Sequence, residues 1–419
     1  MGENPPSPWR MNSTELLQEA EKALFTIFYA IDAQVKANIL KILDAYRTQR
    51  LGAHHFASVS GYGHDDLGRQ VLDGAFARIV GAESAAVRVQ LVSGTHAIAC
   101  ALFGVLRPGD ELLSVVGSPY DTLEEVIGVR GSVGSLAEFG IAYREVPLTP
   151  QGSPSWDAIA SAVGPKTRVA FVQRSCGYDW RESLDITAIE RIVKLVKQQN
   201  PEVVCLVDNC YGEFVETLEP PAVGADLIAG SLIKNPGGTI ATAGGYVAGR
   251  TDLVEAACCR LTAPGIGSKG GATFNQHRLL FQGLFLAPQM VGEALKGSHL
   301  IAWVMDRLGY PVNPLPMVPR RDVIQAVRLG SREKLIAFCR ALQQHSPVDS
   351  FVDPTPAPMP GYASDLVMAG GTFVDGSTLE LSADGPLREP YTVFCQGGTH
   401  WTHVAIALDA ALEAIAAVE

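Results

Sequence analysis

The chain has 419 residues, 47% of them hydrophobic and 18% charged, which gives room for two or three domains with a substantial core and excludes a disordered chain. A formal net charge of −11, with 33 basic residues scattered instead of clustered, excludes a nucleic-acid footprint and points to small-molecule work. No apolar run nears the roughly 18 residues of a membrane span, and the N-terminus MGENPPSPWRMNSTELLQEAEK lacks the basic-then-apolar order of a signal peptide, so a cytoplasmic protein without a membrane partner is expected.

Residues 14–50 repeat apolar positions at three- and four-residue spacing, as in ELLQEAEKALFTIFYAI and KANILKILDAYR, which predicts two amphipathic helices. They form an N-terminal arm, residues 1–60. From there the rhythm changes to short β-rich runs alternating with helical segments, the pattern of a mostly parallel sheet covered on both faces. The predicted strands are AAVRVQL from Ala85, ELLSVV from Glu111, RVAFVQR from Arg168, VVCLVD from Val203, LIAGSL from Leu227 and GYVAG from Gly245. Six or seven strands make one large α/β domain over residues 61–300. The proline-rich PVNPLPMVPRRD, from Pro311, introduces a smaller α+β domain, residues 301–419. The eight cysteines form no CxxC pair and sit in apolar runs or next to each other, which is free-thiol usage and not a disulfide framework or zinc site.

Ligands on open parallel sheets bind beyond the carboxyl ends of the strands, and those ends are glycine-rich here. After the first strand, Ser93, Gly94 and Thr95 open a helix and would offer backbone N–H groups to a phosphate; the same residues read equally well as an ordinary helix cap. After the second, Tyr120 offers either a ring to lie on a flat cofactor or plain packing. Asp208 ends the run VVCLVD, as an acidic partner for a cofactor or as a turn cap. Lys234 follows LIAGSL in GSLIKNPGGTIATAGGYVAG, residues 230–249, an unusual place for a lysine unless burial and neighbouring cations lower its pKa and make it able to form a Schiff base. Pyridoxal phosphate is the commonest carbonyl for that chemistry, and its ring nitrogen needs a carboxylate. The four features fall at the ends of separate strands in a workable order. GIGSKGGAT, from Gly265, lacks the Ser or Thr of a nucleotide loop and reads as a mobile loop near the site. His400 and His403 have H-x-x-H spacing without a glutamate, so no metal site is expected, and no GxSxG elbow surrounds Ser93.

VDNCYGEF resembles the V-D-N-T-Y stretch of the cystathionine and methionine γ-lyase group of fold-type I pyridoxal-phosphate enzymes, and VSGTHAI resembles that group's S-G-M-x-A-I phosphate turn. Over nearly the whole chain the sequence is similar to the bacterial family of aluminium-resistance or methionine γ-lyase-like proteins, which carries stretches like SGYGHDDLGR, FVQRSCGYDWRESL, SLIKNPGGTIATAGGY and FCQGGTH. The resemblance implies the fold-type I transferase fold, with a large seven-stranded domain and a small C-terminal one, and a carbon–sulfur lyase. Such an enzyme abstracts an α-proton and eliminates a β- or γ-thiolate from a sulfur-containing amino acid. An aminotransferase, a hydroxy-amino-acid aldolase or a non-catalytic cofactor-binding stress protein stands as the alternative. Carried over by position, Lys234 would bind the cofactor and move the α-proton, Asp208 would pair with the pyridine nitrogen and Tyr120 would stack on the ring. Ser93, Gly94, Thr95 and Ser231 would hold the phosphate, Gln173 would reach the ring's phenolic oxygen, and Arg388 would grip the substrate carboxylate unless it serves a surface salt bridge. Tyr62 would reach the phosphate of a neighbouring subunit, which implies a homodimer or homotetramer with shared sites. Two positions depart from the γ-lyase pattern: His64 stands where that group has arginine, and Ile233 where it has a hydroxyl residue.

Overall fold

The structure is a computed structural model that describes residues 13–359 and 364–418. The first twelve residues, on which much of the signal-peptide reading falls, lie outside the described part, as does the proximal end of the predicted arm. The chain divides into two compact units, one of Lys36–Pro288 and the other of the residues up to Val35 together with Gln289–Glu419.

The larger unit is built on a seven-stranded sheet: β1 (Ser84–Arg88), β2 (Glu111–Ser114), β3 (Ala142–Glu145), β4 (Thr167–Gln173), β5 (Val204–Asp208), β6 (Leu227–Ser231) and β7 (Gly245–Gly249), in the order β1-β7-β6-β5-β4-β2-β3. Only β7 runs against the others, pairing antiparallel with both β1 and β6. Every residue of β5, β6 and β7 is buried, so neighbouring side chains that point to opposite faces are all covered. That is why these strands read as continuous apolar runs. Phe171 on β4, Leu206 on β5, Leu227 on β6 and Val247 on β7 share one core with the helices α3 (Gly94–Val105) and α7 (Thr251–Leu261).

β3 was not among the predicted strands. Its sequence AYRE is largely exposed and it pairs only with β2 at the sheet edge, where no apolar face is required. The N-terminal arm also differs from expectation. Residues Ser13–Thr48 form one helix, α1, because nothing between the two predicted halves breaks it: the segment holds neither glycine nor proline. Among the described helices α1 alone is long and apolar enough to cross a membrane by length and composition, which corrects the expectation that no segment comes near. Its Leu16, Ala20 and Leu24 instead sit in the core of the smaller unit.

That smaller unit carries a five-stranded antiparallel sheet, with β8 (Val312–Asn313), β9 (Ile324–Arg328), β10 (Leu366–Ala369), β11 (Ser382–Pro386) and β12 (Thr392–Gln396) in the order β10-β11-β12-β9-β8. The helices α9 (Arg332–Gln344) and α10 (Trp401–Ala416) pack together, and Phe338, Val393, Val404 and Ile415 join α1 in one apolar cluster.

Phe171 is fully buried at the middle of the large sheet. Phe171→Ala is expected to lower unfolding free energy by about 3–5 kcal/mol, measured by urea denaturation; a loss below about 1 kcal/mol would show that the sheet core repacks around the cavity.

Candidate active site

The register of the large sheet sets the site. Gln173, the last residue of β4, lies directly opposite Asp208, the last residue of β5, and β6 ends beside them at Ser231. The chain then turns back into β7 through residues 232–244, and Lys234 stands on that turn. On the other side of β6, α3 begins at Gly94. A Cβ on Gly94 would lie 3.1 Å from Cys210 Sγ and 3.3 Å from Ser231 Cβ, so the helix start is pressed against the ends of β5 and β6 where only glycine fits without displacement. Ser93 does cap α3, its hydroxyl accepting the His96 N–H at 3.0 Å, and the next hydroxyl, Thr95 Oγ1, is 3.0 Å from the Tyr120 hydroxyl. The Tyr120 N–H donates to Gln173 Oε1 at 2.9 Å, while Gln173 Nε2 donates to the Ser175 carbonyl at 3.0 Å.

Ser93, Gly94, Thr95, Tyr120, Gln173, Asp208, Ser231 and Lys234 are therefore gathered around one set of strand ends, as the sequence predicts. Tyr62 lies in the same unit on an exposed segment, 82% accessible, and Arg388 belongs to the other unit, on the turn between β11 and β12. His400 caps α10 by accepting the Thr402 N–H, and His403 Nε2 is 2.7 Å from the His345 carbonyl.

The electrostatics of Lys234 depart from the sequence expectation. No neighbouring cation depresses it. Burial works against the ammonium, but Cys210, Tyr211, Asp208 and Tyr120 hold its pKa above the ordinary lysine value, Asp208 through its carboxylate and the thiol and phenols only where they ionise. The ammonium also sits over the Tyr211 ring, 4.1 Å from its centre. Burial raises the pKa of Asp208, opposed by Lys234 and by the Cys210 N–H, which donates to Oδ1 at 3.1 Å. Burial likewise pushes up the Tyr120 phenol and the Cys210 thiol, so both are neutral groups near neutral pH. At rest the ammonium and the Asp208 carboxyl act on each other through charge, and the lysine must shed a proton before it can attack a carbonyl.

Sequence reasoning missed the groups that hold this arrangement. Arg174, one residue past Gln173, is fully buried and donates to Asn209 Oδ1 at 2.8 Å, Glu216 Oε2 at 2.9 Å and Glu219 Oε2 at 3.3 Å. Glu219 in turn accepts from Asn209 Nδ2 at 3.0 Å and from the Phe214 N–H at 2.8 Å. A Cβ on Gly212 would come within 2.4 Å of Arg174 Cδ, so the turn after Asp208 closes directly on the guanidinium. The signal was an arginine just past an apolar strand, with three glutamates, Glu213, Glu216 and Glu219, after VDNCYG. Tyr211 and Glu213 lie in that same segment and gave no separate signal.

The SGYGHDDLGR segment and GIGSKGGAT explain each other. Asp66 caps α2 (Leu67–Val80), and the Arg69 guanidinium donates to the carbonyls of Gly271 at 2.6 Å and Lys269 at 2.9 Å. The Gly271 N–H returns to the Tyr62 carbonyl at 2.9 Å, Arg88 reaches the Ser268 carbonyl at 3.1 Å and Gln90 the Ala272 carbonyl at 2.5 Å. Gly63 is in the left-handed region, φ 67°, and a Cβ there would be 2.6 Å from the Gly271 carbonyl carbon. The loop expected to be mobile is tied down along most of its length.

A mixed, mostly parallel seven-stranded sheet with a lysine, an aspartate and a helix start at its carboxyl edge defines the fold-type I class of pyridoxal-phosphate proteins. The profile of the methionine γ-lyase family matches residues 13–416, and the chain belongs to that family. It is 48% identical over 399 residues to the uncharacterised protein YnbB of Bacillus subtilis (strain 168), a match covering 95% of each chain. A solved structure of a candidate cystathionine β-lyase involved in aluminium resistance, from Listeria monocytogenes, is 46% identical, covers 96% of this chain and all of its own, and superimposes with a TM-score of 0.94. The L-methionine γ-lyase of Pseudomonas deceptionensis is 24% identical over 293 residues, 66% of each protein. Membership of this family implies pyridoxal phosphate.

The residues present fit that group. Ser231 Oγ is buried with no hydrogen-bond partner, beside the N–H groups that open α3 and the cradle at Gly94, which is the donor set a phosphate needs. Ser231→Ala is expected to weaken pyridoxal-phosphate affinity by about tenfold or more, read by equilibrium dialysis. Arg174→Met strands Glu219 in the interior and is expected to destabilise the chain by about 3–5 kcal/mol; an unchanged urea midpoint would refute the clamp.

Proposed function

We propose that this chain is a pyridoxal-phosphate-dependent carbon–sulfur lyase that eliminates a β- or γ-thiolate from a sulfur-containing amino acid. The observation that carries the reading is the convergence of Lys234, Asp208, Tyr120 and the unpartnered Ser231 hydroxyl at adjoining strand ends. Bound pyridoxal phosphate supplies the electron sink for the reaction. Ser231 and the N–H groups at the start of α3 would hold its phosphate, Asp208 its ring nitrogen and Lys234 its aldehyde carbon, with Tyr120 against its face and Gln173 at its phenolic oxygen.

The chain's own groups then divide the proton work. Lys234, freed as a neutral amine, takes the proton from the substrate's α carbon. Asp208 would present its carboxylate to the ring nitrogen, with the Cys210 N–H opposing the burial that raises its pKa. Tyr120, held as a neutral phenol against Thr95 Oγ1, adds no negative charge beside the amine. Arg388 would take the substrate carboxylate as a bidentate fork. The proposal extends to a homodimer or homotetramer: Tyr62 is exposed on a segment braced by Arg69, as a residue presented to a second subunit would be.

The test pairs product assays with a spectrum. Wild type incubated with methionine, cystathionine or cysteine is expected to release keto acid and thiol from at least one of them. Lys234→Ala is expected to lack the visible band of a lysine-bound cofactor and to lose about 10²–10⁴-fold or more in turnover. A cofactor-loaded wild type that yields neither product from any of the three would sink the lyase reading.

A further inference from the structure

Three acidic side chains are buried around the turn after β5, and two of them are furnished with donors. Asp208 accepts the Cys210 N–H, and Glu219 accepts from Arg174, Asn209 and the Phe214 N–H. The third, Glu213, is 2% exposed and is treated differently. Its Oε1 accepts the Tyr246 hydroxyl at 2.6 Å, but its Oε2 is buried without a hydrogen-bond partner. Its position is fixed. The Glu213 carbonyl accepts from Asn235 Nδ2 at 3.0 Å, the residue next to Lys234, and a Cβ on Gly230 would strike the Tyr246 hydroxyl at 2.5 Å, so Tyr246 is wedged where it stands.

The charged and titratable groups facing this carboxyl are Tyr246 from β7, Lys234 from the β6–β7 turn, and Cys210 and Glu219 from the segment after β5. A carboxylate there would bury an anionic oxygen with no donor, whereas a carboxylic acid would bury only a hydroxyl. We propose that Glu213 is a positioning residue that acts on Lys234 through charge: it remains a neutral acid, which leaves Asp208 as the ammonium's one carboxylate partner at this turn. The inference rests on Lys234 being the reactive amine of the proposed lyase. A second anion in the same dry volume would hold the lysine proton more tightly and slow its release.

The direction of titration agrees with the geometry. Burial, joined by the Glu219 charge, pushes Glu213 up to about 8, while the Tyr246 hydrogen bond, the Glu213 backbone N–H and, more weakly, the Lys234 charge pull it back. Its proton is therefore retained near neutral pH and given to solvent as pH rises through about 8. Because the folded value is raised above that of an unfolded glutamate, the stability it contributes is present in acid and is lost as pH climbs through that value.

The experiment is infrared spectroscopy of the full-length protein before and after loading with pyridoxal phosphate, titrated through the neutral and alkaline range, with Glu213→Gln as the assigning variant and the Lys234 arm read before loading, while its amine is free. Wild type is expected to show the carbonyl stretch of a buried protonated carboxyl at neutral pH, absent from Glu213→Gln, that disappears with a midpoint near 8. Tyr246→Phe and Lys234→Met, each removing a group that lowers the midpoint, should both move it upward. In the pH profile of kcat/KM, wild type should carry a break in the same range that Glu213→Gln lacks; a purely structural carboxyl would depress the profile evenly. Absence of the band at neutral pH, or a midpoint that Lys234→Met leaves in place, overturns the proposal. The infrared arms report the charge coupling whether or not any amino acid is turned over, so failure of the lyase reading and failure of this one give different results.

Discussion

A lysine ammonium and an aspartate carboxylate share the space beyond β5 and β6, and much else in the larger unit serves to keep them there. Neither charge could be withdrawn from water alone, because the desolvation penalty of an unpaired ion exceeds what a domain of this size can spare. Each steadied by the other's charge, they persist, and they leave a lysine that holds its proton until that charge is engaged elsewhere. The register sets their separation: Asp208 ends β5 level with Gln173 and Ala229, and β6 runs on to Ser231 before the turn that carries Lys234.

Around that pair the chain uses polar side chains to freeze the backbone. Arg174 and Glu219 form a buried ion pair next along the chain, and together with Asn209 and Glu216 they fix the turn that carries Cys210, Tyr211 and Glu213. Tyr211 and Phe214 adopt left-handed backbone angles there, φ 71° and 63°, a conformation that a non-glycine residue holds only when its surroundings leave no alternative. At the other edge of the unit, Arg69, Arg88 and Gln90 perform the same task for the loop that follows α7, using carbonyl acceptors in place of carboxylates. Rigidity at both places comes from buried donors satisfied in full.

The parts legible in the sequence were those governed by burial and by backbone necessity. β5, β6 and β7 are continuous apolar runs because both faces are covered, and the strand-end residues Asp208, Ser231 and Lys234 could be placed once those runs were recognised. Gly94 was legible because a helix that starts against two strand ends leaves no room for a side chain. What escaped was governed by partners distant in sequence. β3 has no apolar signature because its only neighbour is β2. The loop at Gly265 looks unconstrained until Arg69, some two hundred residues earlier, is seen to grip it. The charge state of Lys234 depends on burial and on the groups that close around it, Cys210, Tyr211, Asp208 and Tyr120, which periodicity cannot rank. The two amphipathic segments expected over residues 14–50 share one spacing and fuse into α1, because continuity of a helix depends on the absence of a breaker.

The single reversed strand has an evolutionary corollary. Parallel neighbours are joined by crossovers that pass over the face of the sheet, and these tolerate changes of length because the extra residues can bulge into solvent. β6 and β7 are antiparallel neighbours, so the segment that bears the lysine is a closed connection between adjacent strand ends. Within it, a Cβ on Gly237 would lie 1.9 Å from the Leu232 carbonyl oxygen, and one on Gly238 2.2 Å from the Gly283 carbonyl oxygen. Residues added or removed there would shift the amine relative to Asp208, whereas the crossover before β5 can lengthen without moving either charge. Among descendants of this sequence, the spacing from Ser231 to Gly245 should drift far more slowly in length than the spacing from Gln173 to Val204, even where the amino acids themselves have diverged.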